Sequence, residues 1–118
     1  PDESDLADLR FGWTLIRYVK SNAIILVRDR QLLGVGAGQM SRVDSVEIAI
    51  NKSQKDVAGS ILISDAFFPF ADSIETAAAH KIRMVVEPGG SVRDEEVIEA
   101  ARRLGISLLF TSVRHFRH

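Results

Sequence analysis

The chain has no cysteine, so no disulfide framework can staple it and no thiolate can act as nucleophile or metal ligand. It has almost no net charge, because 15 basic residues stand against 16 acidic ones. That balance removes the electrostatic case for nucleic acid or an anionic membrane surface. No apolar run approaches the roughly 20 residues a membrane helix needs. The first residues, PDESDLADLR, are acidic and lack the apolar core of a secretory signal. These absences fit a cytoplasmic protein. An initiator methionine is missing too, so the chain is expected to be trimmed or cut from something longer. There is no Walker motif, no G-x-S-x-G elbow and no H-E-x-x-H motif. What is present is 118 residues, 46% hydrophobic, enough for a single domain over 1–118 with a core of its own.

Hydrophobic periodicity predicts nine elements. A helix runs from Asp5 to Ser21, with Leu6, Leu9, Trp13 and Ile16 as its inner stripe, widened by Leu15 and Val19. Asn22 stands at its end. Ala23 to Val27 is a continuous apolar run, as in a strand buried on both faces. A polar turn separates it from a second strand, Leu32 to Gly36, and so short a link makes an antiparallel hairpin. A helix from Ser41 or Arg42 to Lys55 follows, with Val43, Val46 and Ile50 on one face. Then come a strand at Ser60–Ile63, a loop SDAFFPFADS, a helix from Ser73 to about His80 and a strand at Met84–Val86. Pro88-Gly89-Gly90 makes a turn, and Ser91 is a candidate N-cap for the next helix, which stops at Gly105. Leu108 to Phe110 is the last strand.

The order α-β-β-α-β-α-β-α-β implies an α/β fold: a three-layer α/β/α sandwich around a mixed sheet. It is similar to the cytidine deaminase-like sandwich. Zinc deaminases on that fold use an H-x-E…P-C-x-x-C pattern. With no cysteine, and with His80, His115 and His118 at the wrong spacings, no metal site of that kind can form. In open α/β sheets, ligands bind beyond the carboxyl ends of strands. That rule selects GAGQMSR, SDAFFPFAD, PGGS and the terminal TSVRHFRH, which hold much of the chain's Gly, Pro, aromatic and polar content.

Each stretch has a plain structural reading beside a functional one. Phe67, Phe68 and Phe70 around Pro69 form either a hydrophobic plug or an aromatic wall for a flat heterocycle, with Asp65 or Asp72 on its ring nitrogens. Asp72 with Glu75 also reads as a capping box. PGGS is a tight turn and cap, or part of a pocket. Arg42 is a surface charge, or a planar donor fork for a carboxylate, phosphate or carbonyl. Asn22 is a helix cap or a ligand. Arg114, Phe116, Arg117 and His118 are a frayed basic end or a clamp for an anion. Lys20 and Asp44 read as surface charges, and His80 complements a helix dipole.

Taken together, KSNAI, GAGQMSRVDS, SDAFFPFAD, PGGSVRDEEVI and VRHFRH resemble one family, over Leu9 to His118 and in the same order. It is the carboxyl-terminal part of AICAR transformylase, carried by a bifunctional purine biosynthesis enzyme together with IMP cyclohydrolase. The resemblance implies formyl transfer from 10-formyltetrahydrofolate to the amine of AICAR, giving FAICAR. It implies two cytidine deaminase-like subdomains, this chain being the second, in a homodimer whose sites lie at the subunit interface. It implies catalytic roles for Asn22 and Arg42 and AICAR contacts from Phe67, Arg114 and Phe116. Folate contacts fall to Asp72 and Ser91, and no metal is implied. The family's Lys-His proton-transfer pair lies in the earlier subdomain, in a motif this chain lacks, as it lacks the cyclohydrolase. The chain is then a fragment expected to be inactive alone. A free-standing, non-catalytic nucleotide- or folate-binding module is the alternative, and a purely structural dimerisation domain a third reading.

Overall fold

Short β-branched runs such as IILVR, ILIS and MVVE are too brief for helices and suit a pleated, doubly covered surface. In the computed structural model they become the inner strands of a five-stranded sheet. The structure describes residues 2–19, 23–37, 42–53, 56–68 and 71–111, leaving aside the side chains at 42 and 43. In chain order the elements are α1 (Glu3–Ile16), β1 (Ile24–Arg28), β2 (Gln31–Gly36), α2 (Arg42–Asn51), β3 (Ile61–Ser64), α3 (Asp72–Ala79), β4 (Met84–Glu87), α4 (Asp94–Leu104) and β5 (Ser107–Phe110). The strand order is β2-β1-β3-β4-β5. β1 is antiparallel to both neighbours, while β3, β4 and β5 run parallel.

Alternation along the strands divides the core in two. Ile24, Leu26, Leu62, Val85 and Leu108 face α2, α3 and α4, together with Val46, Phe68, Ile74 and Val97. Ile25, Val27, Ile61, Ile63, Met84 and Val86 face α1. The expected mixed α/β sandwich is therefore present.

Helix α1 departs from the predicted stripe. Its buried residues are Asp5, Asp8, Gly12 and Ile16, and Leu6 is 42% exposed. Gly12 explains the rotation: a β-carbon there would lie 2.3 Å from Ile63 Cδ1, so the helix backbone rests directly on the sheet. Leu9 and Trp13 are displaced to the flank. Asp2 caps the helix through a reciprocal box with Asp5. The helix ends at Ile16, where Tyr18 and Val19 donate to the carbonyls of Leu15 and Ile16 in tighter turns. α2 likewise ends at Asn51, short of Lys55.

Both acids on the buried face of α1 have work at the amino end of the parallel strands. Asp8 accepts the backbone N–H groups of Asp29 (3.1 Å) and Arg30 (2.7 Å) in the β1–β2 turn, where both residues have positive φ. Asp5 pairs with Arg83, just before β4. The Arg83 hydrogen bond holds the Asp5 carboxyl below the usual carboxylate range, and the pairing raises Arg83 in turn.

Candidate functional site

The antiparallel course of β1 has a consequence for the opposite edge of the sheet. Ile24 pairs with both Gly36 and Ser64, so β1 begins where β2 and β3 end. Five chain segments therefore meet at one edge. They are the start of β1 after Asn22, the end of β2 leading to GAGQMSR, the loop after β3, the turn after β4, and Thr111 after β5. Among the described residues, the site candidates Phe67, Asp72 and Ser91 lie on or next to these segments. Asn22, Arg114 and Phe116 fall outside the described residues. Arg42 is the first residue of α2, which begins at this edge.

The loop after β3 is held by buried polar groups. The Ser64 hydroxyl donates to the Ala66 carbonyl at 2.6 Å and accepts from the Ala66 N–H at 3.3 Å. Asp65, 8% exposed, accepts the Ala23 N–H on Oδ1 at 3.1 Å, and its own N–H donates to the Ala23 carbonyl at 3.2 Å. Phe68 is fully buried and its N–H donates to Oε1 of Glu87 at 3.3 Å. Glu87, the last residue of β4, is itself fully buried, and its carbonyl accepts the Thr111 N–H. Between these tethers Phe67 remains 38% exposed. Phe68 is thus the plug and fills the core, while Phe67 faces outward; Pro69 and Phe70 lie outside the described residues. Asp65 spends its Oδ1 on the backbone of Ala23.

Asp72 is exposed at the first turn of α3. The capping-box reading does not hold. The N-cap is Ala71, and the Asp72 carboxylate accepts only the adjacent Ser73 N–H, at 2.9 Å, among the hydrogen bonds found for its side chain. Asp72 lies inside the helix rather than before it, where a carboxylate still complements the dipole. Ser91 is not the N-cap of α4 either, since that position is Arg93. Ser91 Oγ accepts the Arg93 N–H at 3.1 Å, and Asp94 reaches back to the N–H groups of Gly90 (2.8 Å) and Ser91 (3.1 Å). The turn is thereby closed by the acid three residues on, leaving Ser91 half-buried at the edge. Gly105 ends α4 in the left-handed conformation, as its position implied. His80 caps α3, with Nδ1 3.0 Å from the Thr76 carbonyl.

Sequence reasoning missed Glu87 and the backbone role of Asp65. One signal was available: MVVE ends an apolar strand on a charge immediately before a turn. Among the described residues, no three His, Asp or Glu side chains come together to hold a metal ion. On the α1 side, a separate groove of about 440 Å³ is lined by Leu9, Arg10, Trp13, Thr14, Leu109 and Thr111. The edge itself offers an outward ring, an exposed carboxylate and a helix start, which suits a flat, hydrogen-bonding ligand.

The profile of the AICARFT/IMPCHase bienzyme family matches residues 1–52. Over its whole length the chain is 56% identical to the bifunctional purine biosynthesis protein PurH of Xanthomonas axonopodis pv. citri (strain 306). The figure is 53% for PurH of Streptococcus equi subsp. equi (strain 4047) and 57% for PurH of Rhodopirellula baltica (strain DSM 10527 / NCIMB 13988 / SH1). The chain spans 23% of the length of each. Among solved structures, the dCMP deaminase from the cyanophage S-TIM5 in apo form superposes with a TM-score of 0.63 at 16% identity, covering 94% of this chain and 99% of that one. The diaminohydroxyphosphoribosylaminopyrimidine deaminase/5-amino-6-(5-phosphoribosylamino)uracil reductase from Thermotoga maritima gives 0.57 at 17% identity, over 94% of this chain and 36% of that one. At such identities the likeness shows the fold alone, which is cytidine/dCMP deaminase-like.

Proposed function

We propose that this chain, homologous along its whole length to a segment of PurH, is the carboxyl-terminal part of an AICAR transformylase region. As the second deaminase-like subdomain it supplies part of a site for formyl transfer to AICAR in purine biosynthesis. The observation that supports the reading is that the start of β1 and the ends of β2, β3, β4 and β5, the strand ends that adjoin the motifs in sequence, meet at one edge of the sheet.

The chemistry asks for what those segments hold. The AICAR amine is a weak nucleophile because its lone pair is delocalised into the ring and carboxamide. Its nitrogen attacks the formyl carbon of 10-formyltetrahydrofolate. A proton leaves the amine, the bond to folate N10 breaks, and N10 takes up a proton, so atoms balance without a redox partner or metal. Arg42 and Asn22 are the donors for the carboxamide and formyl oxygen, where charge develops. Phe67 and Phe116 pack on the flat base, and Arg114 takes the nucleotide phosphate. Asp72 accepts the paired N–H donors of the pterin, and Ser91 lines the folate side. The co-substrate is 10-formyltetrahydrofolate. The working unit is a cytoplasmic homodimer of the full-length protein, with sites shared across the subunit interface.

The deciding experiment assays the full-length protein for tetrahydrofolate release from 10-formyltetrahydrofolate with AICAR. Turnover that depends on Asn22 and Arg42 is the expected result. Binding of nucleotide or folate without turnover would instead favour the non-catalytic module.

A further inference from the structure

We propose that Asp65 is a positioning residue that fixes Ala23, the residue that follows Asn22 in the sequence, in one frame with the Phe67 loop. The inference rests on the formyl-transfer reading for its functional consequence, but not for its geometry.

The antiparallel ladder between β1 and β3 has its last strand pair at Ile24 and Ser64. One step further on, Ala23 meets Asp65. The Asp65 N–H donates to the Ala23 carbonyl, as a continuing ladder would require. The return bond, from the Ala23 N–H, goes to the Asp65 side chain at 3.1 Å. A carboxylate oxygen thus stands where a main-chain carbonyl would stand in a longer strand. Pairing is completed by a side chain, so the chain after Asp65 can leave the sheet and turn through Ala66 while Ala23 stays anchored. Residues 42 apart in sequence are joined by two bonds of opposite sense.

Asp has the reach for this. Glu would carry its acceptor one methylene too far, and Ser offers a single rotating hydroxyl. The joint is shielded, with Asp65 nearly buried and Ala23 fully so. Ala23 is one peptide from Asn22, about 3.8 Å between Cα atoms. Phe67 is two residues from Asp65 and is pinned on its far side by the Phe68–Glu87 bond. A shift at the Ala23–Asp65 joint therefore moves the proposed donor relative to the proposed aromatic wall, and alignment errors of about 1 Å can cost about 100-fold in rate.

The test uses the full-length protein with Asp65→Asn, Asp65→Leu and Asp65→Glu. Asn keeps an oxygen at Oδ1, and turnover is expected within about fivefold of the parent. Leu keeps the branching but removes both acceptors; turnover is expected to fall at least about tenfold, with the KM for AICAR changed less than about threefold. Glu keeps the charge and displaces the acceptor, so it is expected to follow Leu, and it serves if the Leu protein does not fold. Hydrogen exchange by mass spectrometry, on a peptide spanning residues 20–27, reads the joint without reference to catalysis. Protection is expected in the parent and Asn proteins and lost in Leu and Glu. Full turnover in the Leu or Glu protein, an Asn protein as impaired as Leu, or unchanged exchange in all three would overturn the proposal. Absence of formyl transfer in the parent would sink the functional reading instead, leaving the exchange measurement to judge the joint.

Discussion

The two ends of the sheet use the same device for different ends. At the amino end of the parallel strands, Asp8 accepts two N–H groups of the β1–β2 turn and Asp5 pairs with Arg83. At the carboxyl end, Asp65 accepts the Ala23 N–H and Glu87 that of Phe68. Asp8, Asp65 and Glu87 each fasten the backbone of another segment, whereas Asp5 holds the Arg83 side chain. At the amino end the fastened segments are a tight turn and a helix, with no outward ring and no motif. At the carboxyl end they are the start of β1 and the loop that carries the outward-facing Phe67. The difference teaches that a buried acid in this fold is not in itself a sign of chemistry. What the tethered backbone carries on its surface decides its role.

The comparison is sharpest when the whole chain is set against its parent protein. On the formyl-transfer reading, the 118 residues alone are expected to show no measurable formyl transfer, because that reading puts the proton-transfer pair in an earlier subdomain and general acid–base groups contribute about 100- to 10,000-fold. Turnover by the purified chain near ordinary enzyme rates would break the proposal at once. Next in size is Asp8→Ala, at the amino end. It removes two hydrogen bonds from a turn that holds two residues at positive φ, and is expected to cost about 1–3 kcal/mol in urea unfolding, at about 0.5–1.5 per bond. In the full-length protein the same change is expected to leave the KM for AICAR unaltered.

At the carboxyl end, Asp72→Asn is expected to do the reverse. Because Ala71 is the cap, no cap is lost and the unfolding midpoint stays in place. An amide donor facing a pterin donor is expected to weaken binding of a folate analogue to the full-length protein by about 1–3 kcal/mol. A titration curve identical to the parent's would return Asp72 to a helix-dipole role. The smallest effect concerns pH. The Asp5 carboxyl is depressed by Arg83, so its contribution to stability is fully present above the unfolded carboxylate value of about 3.9. It is lost as pH falls through the lower folded value. Asp5→Asn is therefore expected to flatten the acid limb of the stability–pH curve slightly, and an unchanged limb would show that the pair contributes nothing there.

Much of the fold was legible because it is written locally. AIILV, SILI and MVV announce buried strands by their apolar continuity, the four-residue link at 28–31 announces the hairpin, and Gly105 announces a helix end. The face of α1 was not legible, since Leu6, Leu9 and Trp13 keep helical spacing while Gly12 and two acids make the contact. Caps at Asp72 and Ser91 were not legible because Ala71 and Arg93, neither making a side-chain cap bond, hold the N-cap positions, while Asp94 closes the turn from inside α4. The rule that ligands bind beyond the carboxyl ends of strands pointed to the edge at which the described strand ends meet. The pairing of Ala23 with Asp65 and of Phe68 with Glu87 was not legible, because partners 42 and 19 residues apart create no periodicity, although the charge ending MVVE marked Glu87 itself.

The glycines of β2 carry a last consequence. A β-carbon at Gly36 would lie 1.9 Å from the Ser45 carbonyl oxygen, and one at Gly34 would lie 2.1 Å from that of Ala49. Two missing methyls let α2 lie backbone to backbone along the strand, and the Ser53 hydroxyl closes its far end onto the Ala49 carbonyl. β2 is an outermost strand with β1 as its one partner in the sheet. Strand and helix are therefore spliced into one breathing unit. When the edge opens, the two open together, and amide protons of β2 and α2 should exchange as a single cooperative group. The start of α2, and Arg42 with it, is thus as steady as the sheet margin it rides on.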